Sequence, residues 1–357
     1  MSTFHLKGLN TYRGLAAWVV VVAHIELFKK DYGYPHLSGS DFFTYTGGHT
    51  AVILFFALSG YLITLLLLRE KDKYRSVDLK AFYLRRIFRV WPLYYLVIFL
   101  SLLLFAYTPS WQTLLLCLTI FPNVAHALGA GWALSPQIWS IGVEEQFYLV
   151  WPFVVKKIRH LLAFLLLVFV FFTFAPHGIL FIMNRIHPDT EQMQLAERLF
   201  SELKFNCMAV GGIFAVLHHR KSRFPGLLGN RLAVSYPLIL LPFVLWACGA
   251  HTAYFTDELY AVLFAVSIFL VSTHPSVPDI DTGVTAFFGK ISYGLYMYHW
   301  IILEILFRNR FPATDNPVIF NLALYGIATT ATVTVAALSY RYIEKPLLDM
   351  KQKRYGR

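Results

Sequence analysis

The residues best suited to chemistry begin with Arg13 and His24, which lie at the two ends of the apolar stretch 14–23. At about 100° per helical residue, the two side chains share one helix face, about 16 Å apart along the axis. Ionisable groups are costly at membrane depth and usually face a bundle interior or a wet cavity. We therefore expect a functional site around His24. Hydrogen bonding between helices is the structural alternative for a single membrane histidine.

Two adjacent carboxylates, Glu144 and Glu145, interrupt a second apolar stretch, residues 137–155. Because neighbouring helical side chains point about 100° apart, we expect only one of them to face His24. A carboxylate next to an imidazole orients the ring and stabilises the imidazolium ion. The sequence therefore predicts that Glu144 or Glu145 orients His24.

Three arginines, Arg85, Arg86 and Arg89, precede a Trp-Pro pair in the third apolar stretch. Residues three or four apart are neighbours on a helix, so Arg89 can converge with either of the other two on one anion. Guanidinium groups also match the geometry of phosphates. The cluster is interpreted as a pyrophosphate clamp, with contact to lipid head groups as the alternative.

Four further polar side chains in apolar sequence are candidate substrate-binding residues: Ser59, Ser140, Tyr298 and His299. Ser59 precedes Gly60, and this pair fits either a packing notch between helices or a close approach of the backbone to a ligand. Ser140 and Tyr298 are candidate donors to an oxyanion. His299 fits either a role in the site or helix packing.

The composition predicts a polytopic membrane protein. Of 357 residues, 57% are hydrophobic and 14% are charged, and the mean hydropathy is +0.55; a soluble domain is closer to a quarter charged. The net charge of +11 fits basic cytoplasmic loops better than nucleic-acid binding, because no basic patch stands apart from the apolar stretches. The three cysteines lie singly in apolar sequence, so no metal site is expected.

Ten apolar stretches, some of them short, predict an all-α bundle of about ten transmembrane helices. The stretch 111–122 is too short to cross a membrane and predicts a re-entrant or interfacial segment. The ten predicted spans are residues 12–28, 49–68, 90–107, 137–155, 160–183, 205–217, 232–249, 257–273, 288–307 and 317–340.

The basic residues orient the predicted bundle. Placing both termini in the cytoplasm puts most of the 31 lysines and arginines in inner segments, as the positive-inside rule requires. No linker-like tract divides the chain. We expect one membrane domain over residues 1–346 and a short basic cytoplasmic tail over 347–357, with no extracellular catalytic domain attached.

The motifs together resemble acyltransferase family 3, a family of membrane proteins. The resemblance covers nearly the whole chain. One departure is the pair Ile53-Leu54, where the family often has an Asp just before the Phe-Phe of the second span. Six motifs carry the resemblance, in chain order: Arg13 with His24, FFALSGYLI at 55–63, Arg86 with Arg89, WSIGVEEQFYLVWP at 139–152, SYGLYMYH at 292–299 and SYRYIEKP at 339–346.

The resemblance implies transfer of an acyl group, usually acetyl from acetyl-CoA, to a hydroxyl group of a carbohydrate or similar acceptor. Family members modify O-antigen, exopolysaccharide, peptidoglycan, lipo-oligosaccharide signals or macrolides. It also implies that His24 is catalytic, that Arg13 supports it, and that the region of Arg86 and Arg89 serves the acyl donor at the cytoplasmic side. The expected partners are acyl-CoA as co-substrate, with no tightly bound cofactor, a carbohydrate or glycolipid acceptor, and the bilayer of the bacterial cytoplasmic membrane.

Two mechanisms and one rival function stay open. His24 acts either as a general base on the acceptor hydroxyl or as a nucleophile that carries the acyl group. Charged residues deep in spans also fit a transporter or flippase for a polar or glycolipid solute. Transporters often show paired halves with matching broken helices, and the sequence shows no such symmetry. Product formation that depends on acyl-CoA separates the two functions.

Overall fold

The long apolar stretches of the sequence form helices, in which the backbone polar groups are satisfied without water. Within the described residues every regular element is helical. The protein is therefore an all-helical polytopic bundle, in agreement with the predicted fold class. The computed structural model describes residues 6–40, 42–186, 190–221, 232–309, 311 and 316–355.

The α-helices of these ranges are numbered here in chain order. The first seven are α1 Leu9–Asp31, α2 Gly47–Tyr74, α3 Leu79–Phe105, α4 Trp111–Leu118, α5 Pro122–Ala127, α6 Trp139–Lys157 and α7 Leu161–Ile186. The next seven are α8 Glu191–Glu202, α9 Phe205–His219, α10 Leu232–Ala247, α11 Thr256–Thr273, α12 Gly283–Arg308, α13 Pro317–Ser339 and α14 Lys345–Tyr355. Shorter turns adjoin them: the π-helical segments Phe42–Thr46 and Tyr340–Glu344 and the 3₁₀ segment Pro136–Ile138.

Short polar side chains begin several of these helices. Asp78 accepts a hydrogen bond from the backbone N–H of Ala81 at the start of α3, and Asn316 accepts from the N–H of Val318 at the start of α13. Such caps satisfy N–H groups that have no partner inside the helix. The cap at Asp78 also fixes where α3 begins, and hence where its arginines lie.

Within the described ranges, seven helical segments are long and apolar enough to cross a membrane, by length and composition. Three predicted spans are not among them: α6 carries two glutamates and two lysines, α10 has 16 residues, and α12 mixes its apolar residues with glycines, tyrosines and a histidine. The ten-span count and the cytoplasmic termini therefore stay predictions. The seven segments are Leu9–Asp31, Gly47–Tyr74, Leu79–Phe105, Leu161–Ile186, Glu191–His219, Thr256–Thr273 and Pro317–Met350.

Glycines allow α2 and α9 to pack backbone against backbone. A Cβ atom at Gly60 of α2 would lie 1.9 Å from the carbonyl oxygen of Met208, and one at Gly211 of α9 would lie 2.1 Å from that of Ala57. The two helices are parallel, because their starts meet at Asp257, which bonds both His49 and Lys204, and their ends meet where His219 lies 3.0 Å from Asp72. Gly60 therefore belongs to a packing notch, as small residues between membrane helices usually do.

Helices α1 and α12 form a second close pair. A Cβ atom at Gly289 would lie 2.3 Å from Cβ of Asn10. Further along, Ala17 of α1 shares an apolar cluster with Ile291 and Leu295 of α12. The order of contacts makes this pair parallel as well, so the carboxyl-terminal parts of α1 and α12 lie side by side.

Replacing Gly60 by alanine should destabilise the bundle, because the added methyl group meets the Met208 backbone rather than a flexible side chain. We expect a loss of about 1–3 kcal/mol, the usual range for overpacking, seen as a lower unfolding temperature in detergent. Gly326→Ala in α13 is the matched control, since outside its own helix backbone no described atom lies within 4 Å of the added carbon. Equal stability of the two variants would contradict the close packing of α2 on α9.

Candidate active site

His24 and His299 form the centre of the candidate site. Nδ1 of His24 lies 2.7 Å from Nε2 of His299, and the two rings stack with their centroids 4.9 Å apart. His299 is fully buried, and Trp300 meets the His24 ring edge-on at 5.0 Å. The parallel packing of α1 on α12 thus joins two histidines that are 275 residues apart in sequence.

The hydrogen bonds assign a tautomer to each ring. Nδ1 of His299 lies 3.2 Å from the carbonyl oxygen of Leu295, which can only accept, so this nitrogen carries the proton. Nε2 of a neutral His299 then accepts from Nδ1–H of His24. His24 is left with its lone pair on Nε2, which is the form of imidazole that acts as a general base.

The structure corrects the prediction that Glu144 or Glu145 orients His24. Glu144 accepts a hydrogen bond from Ser59 of α2, and Glu145 accepts one from the indole of Trp91 of α3 at 3.0 Å. The physical reason is the packing of α6, which contacts α2 and α3. His24 bonds instead to a residue of α12.

Arg13, Arg86 and Arg89 line one cavity, with an unfilled volume of about 720 Å³. Arg13 comes from α1 and the other two come from α3, and they interact electrostatically with one another and with Glu144. Nε of Arg86 is buried and has no hydrogen-bond partner among the described residues. Because these cations outnumber the carboxylate that lines the same cavity, the cavity suits an anion such as a phosphate.

Arg85 lies outside this cavity. It forms a salt bridge of 2.8 Å with Glu70 of α2. Successive residues of a helix point about 100° apart, which separates Arg85 from Arg86 although they are neighbours in sequence. Of the three arginines predicted to form a clamp, Arg86 and Arg89 therefore lie in one cavity with Arg13, whereas Arg85 does not.

A second cavity contains His24 and has an unfilled volume of about 1480 Å³. Val52 and Tyr296 line both cavities. The hydroxyl group of Tyr296 donates to the carbonyl oxygen of Gln137 at 2.9 Å and lies 2.7 Å from Oγ of Ser140. The first cavity, here called the arginine cavity, and the second, the His24 cavity, thus meet at Val52 and Tyr296. Tyr296 is held in place there by its hydrogen bonds.

The predicted substrate-binding residues other than His299 lie apart from His24. Ser59 and Ser140 line the arginine cavity. Tyr298 is directed toward α13, where its hydroxyl group donates to Ser339 at 3.0 Å, and it lines neither cavity. These residues hold the walls of the site together.

Sequence reasoning missed four residues of this region. Tyr296 lies three residues before the site histidine of α12, so helical spacing could have found it. Gln137 and Trp300 line the His24 cavity without a signal in the sequence. Glu344 is buried and interacts electrostatically with Arg89, a pairing that no local spacing shows.

The comparison with protein families agrees with the motifs. A model of acyltransferase family 3, described as an acyltransferase domain, matches residues 6–341 of the chain. The chain belongs to this family. Its apolar helices and its family membership make it a multi-pass membrane protein.

Two relatives show how far the similarity extends. The chain is 25% identical to a Bacillus subtilis protein named "Putative peptidoglycan O-acetyltransferase YrhL", over 99% of this chain and 56% of the relative. It is 24% identical to the O-acetyltransferase OatA of Staphylococcus aureus, over 96% of this chain and 57% of the relative. The chain thus spans about half the length of the curated relatives it matches. No solved structure matches it significantly.

Both site histidines should carry their proton on Nδ1, because their chain of hydrogen bonds ends at a backbone carbonyl group. Nitrogen-15 NMR of protein with labelled histidine distinguishes the two tautomers, and spectra of His24→Asn and His299→Asn variants assign the signals. We expect the lone pair of His24 on Nε2 near neutral pH. A His24 ring protonated on Nε2 alone would contradict the assigned direction of donation.

Proposed function

We propose that this protein is a membrane O-acyltransferase that moves an acetyl group from acetyl-CoA to a hydroxyl group of a cell-envelope carbohydrate. One observation carries the proposal: an arginine-lined cavity and a cavity containing His24 meet at Val52 and Tyr296. The first suits an anionic donor, and the second holds a base beside space for an acceptor. The names of the relatives favour O-acetylation as the reaction.

The donor enters the cavity lined by Arg13, Arg86 and Arg89. The phosphate groups of acetyl-CoA carry several negative charges, and guanidinium groups bind phosphate oxygens through paired N–H donors. The guanidinium of Arg86 lies over the ring of Tyr148 at 5.4 Å, and this contact holds the side chain in position. Nε of Arg86, which has no partner among the described residues, is free to donate a hydrogen bond to acetyl-CoA. From this end, the acetyl thioester reaches past Tyr296 toward the other cavity.

In the acceptor cavity, Nε2 of His24 removes the proton from the attacking hydroxyl group. The hydroxyl oxygen bonds to the thioester carbonyl carbon, the carbon–sulfur bond breaks, and the proton passes from His24 to the departing CoA thiolate. His299 accepts from Nδ1–H of His24, so it positions the base as a carboxylate does in a serine hydrolase triad. Transfer through an acyl-histidine uses the same arrangement.

The negative charge that develops on the thioester oxygen needs a hydrogen-bond donor. Tyr298 and Ser140, the donors expected from the sequence, are engaged in hydrogen bonds of their own. Trp300 lies edge-on against His24, and its buried Nε1–H has no partner in the described part of the chain. We therefore assign the role of oxyanion donor to Trp300.

We propose ten membrane crossings, with both termini in the cytoplasm. Helices α2 and α9 are parallel, start to start at Asp257 and end to end at His219 and Asp72. This requires an odd number of crossings between them, so α6 crosses as well as α3 and α7. Helices α1 and α12 are also parallel, which by the same reasoning requires α10 to cross. The basic segments then favour the cytoplasm for both termini.

The proposed acceptor is a glycan met at the outer side of the bacterial cytoplasmic membrane. In the proposed orientation, the carboxyl-terminal end of α1 and the His24 cavity lie toward the outside. The arginine cavity lies toward the cytoplasm, where acyl-CoA is available. The name of the Bacillus subtilis relative contains peptidoglycan, which favours peptidoglycan over O-antigen or exopolysaccharide as the acceptor.

Replacing His24 by alanine should abolish acetyl transfer, since a general base contributes about 10²–10⁴ to the rate. The measurement is CoA release from acetyl-CoA by purified protein with peptidoglycan fragments supplied. His160→Ala is the matched control, because His160 is exposed between α6 and α7. A folded His24→Ala variant with full activity would refute the proposal.

Arg86→Ala and Arg89→Ala should each weaken acetyl-CoA binding by about 10- to 100-fold, because a hydrogen bond to a charged group contributes about 1.5–3 kcal/mol. Arg85→Ala removes the same charge from the same helix but from a side chain paired with Glu70, so its effect should be much smaller. Calorimetric titration of protein in lipid nanodiscs measures all three. Equal losses of affinity would contradict the arginine cavity as the donor site.

A further inference from the structure

The His24 cavity contains an aromatic surface that the proposed reaction does not use. Trp139, the first residue of α6, is nearly parallel to two imidazoles. Its ring plane makes angles of 12° with His49 and 23° with His126, at centroid distances of 6.3 and 6.2 Å. All three residues line the cavity, and we call them the aromatic platform.

Carboxylates hold both imidazoles of the aromatic platform. Nε2 of His49 lies 3.0 Å from each carboxylate oxygen of Asp257, and Nδ1 of His126 lies 2.9 Å from Glu202. The hydrogen bond to Glu202 also raises the pKa of His126. Each ring is therefore fixed in orientation and keeps its second nitrogen, Nδ1 of His49 or Nε2 of His126, for another hydrogen bond.

Gln137 provides an independent sign of a ligand in the same cavity. Its amide nitrogen donates to the carbonyl oxygen of Met297 at 3.2 Å. Its Oε1 is buried and has no partner within the described ranges. Buried polar atoms without a partner are rare in native proteins. Since Gln137 lines the cavity next to Trp139, an unused acceptor lies close to the aromatic platform.

We propose that the aromatic platform binds a pyranose ring of the carbohydrate acceptor. The C–H face of a pyranose packs on an aromatic ring, whereas its hydroxyl groups need hydrogen-bond partners around the edge. Trp139 supplies the face, and the two anchored imidazoles supply the partners. None of the residues described as lining this cavity is acidic, so a neutral or acidic sugar fits better than a cationic ligand. The inference rests on the proposed acyl transfer and assigns the place of its acceptor.

The adenine of CoA would also stack on an indole, but the charges favour the sugar. The phosphate groups that accompany adenine need cations. The arginines described as lining a cavity, Arg13, Arg86 and Arg89, line the one on the other side of Val52 and Tyr296. The described residues that line the cavity of the aromatic platform include one lysine, Lys30, and no arginine. The side chain of Lys30 is exposed. The two ends of acetyl transfer thus have different recognition chemistry.

Glycan binding can be tested without any acyl transfer. The probe is chitotetraose, the tetrasaccharide of N-acetylglucosamine, titrated calorimetrically into protein in lipid nanodiscs, because maltoside detergents would themselves present a pyranose. We expect saturable binding by the wild type and about tenfold weaker binding by Trp139→Leu. Trp139→Phe keeps an aromatic face and should retain most of the affinity. No binding by the wild type would overturn the inference.

Two further variants separate binding from folding. His126→Ala changes a side chain that is 43% exposed, so it should weaken chitotetraose binding while the protein stays folded. Trp111→Leu is the matched control, because Trp111 is 69% exposed and lines neither cavity; its affinity should equal that of the wild type. Equal affinity in Trp111→Leu and Trp139→Leu would overturn the aromatic platform as a sugar site.

Kinetics separates the failure of this inference from the failure of the proposed function. We expect Trp139→Leu to raise the acceptor KM about tenfold and to leave the acetyl-CoA KM unchanged. Acetyl transfer with an unchanged acceptor KM in this variant would overturn the sugar site and leave the acyltransferase standing. Saturable glycan binding by a wild type that transfers no acetyl group would refute the acyltransferase and keep the sugar site. Weakened acetyl-CoA binding with unchanged glycan binding would place the donor on the platform.

Discussion

The site depends on the close parallel packing of α1 on α12. Gly289 lets the two backbones approach at Asn10, and the same pair of helices then brings His24 to His299. Between membrane helices the hydrophobic effect supplies little attraction, so contact relies on van der Waals packing and small residues. A slip of one residue moves a helix about 1.5 Å along its axis, enough to break the bond between the rings. The geometry of the pair His24 and His299 therefore depends on a glycine about three helical turns before His299.

Hydrogen-bonded polar networks keep the two cavities in shape inside an apolar bundle. Buried polar groups are costly unless every member of a network has a partner. Tyr298 donates to Ser339, and Ser339 in turn reaches Glu344, which interacts electrostatically with Arg89. This chain connects α12 and the last π-helical segment to the arginine cavity. Tyr298 is thus connected to the arginine cavity through Ser339 and Glu344.

Local signals predicted the helices and the types of the site residues, but not their partners. Apolar length alone places the predicted span 12–28 within α1 and the span 137–155 largely within α6, because the helical fold of an apolar run needs only its own backbone. Spacing shows which residues share a face of one helix, not which helix covers that face. For this reason the sequence predicted Glu144 or Glu145 as the partner of His24, whereas the packing of α12 on α1 gives it His299. The aromatic platform was invisible for the same reason, since its residues come from separate segments.

In the proposed reaction, the contact between the two cavities lets one bundle join two polar substrates without opening a path across the membrane. The acetyl-CoA and the glycan of the proposed reaction both carry too much polar surface to cross the bundle, but only the acetyl thioester has to reach past Tyr296. Tyr296 is 5% exposed, and its hydroxyl group is held by Gln137 and Ser140, so the ring cannot swing aside without losing buried hydrogen bonds. A small acyl group fits past such a contact more easily than a long chain. In the proposed reaction, the same rigidity that keeps the cavities separate therefore favours acetyl over a longer acyl group.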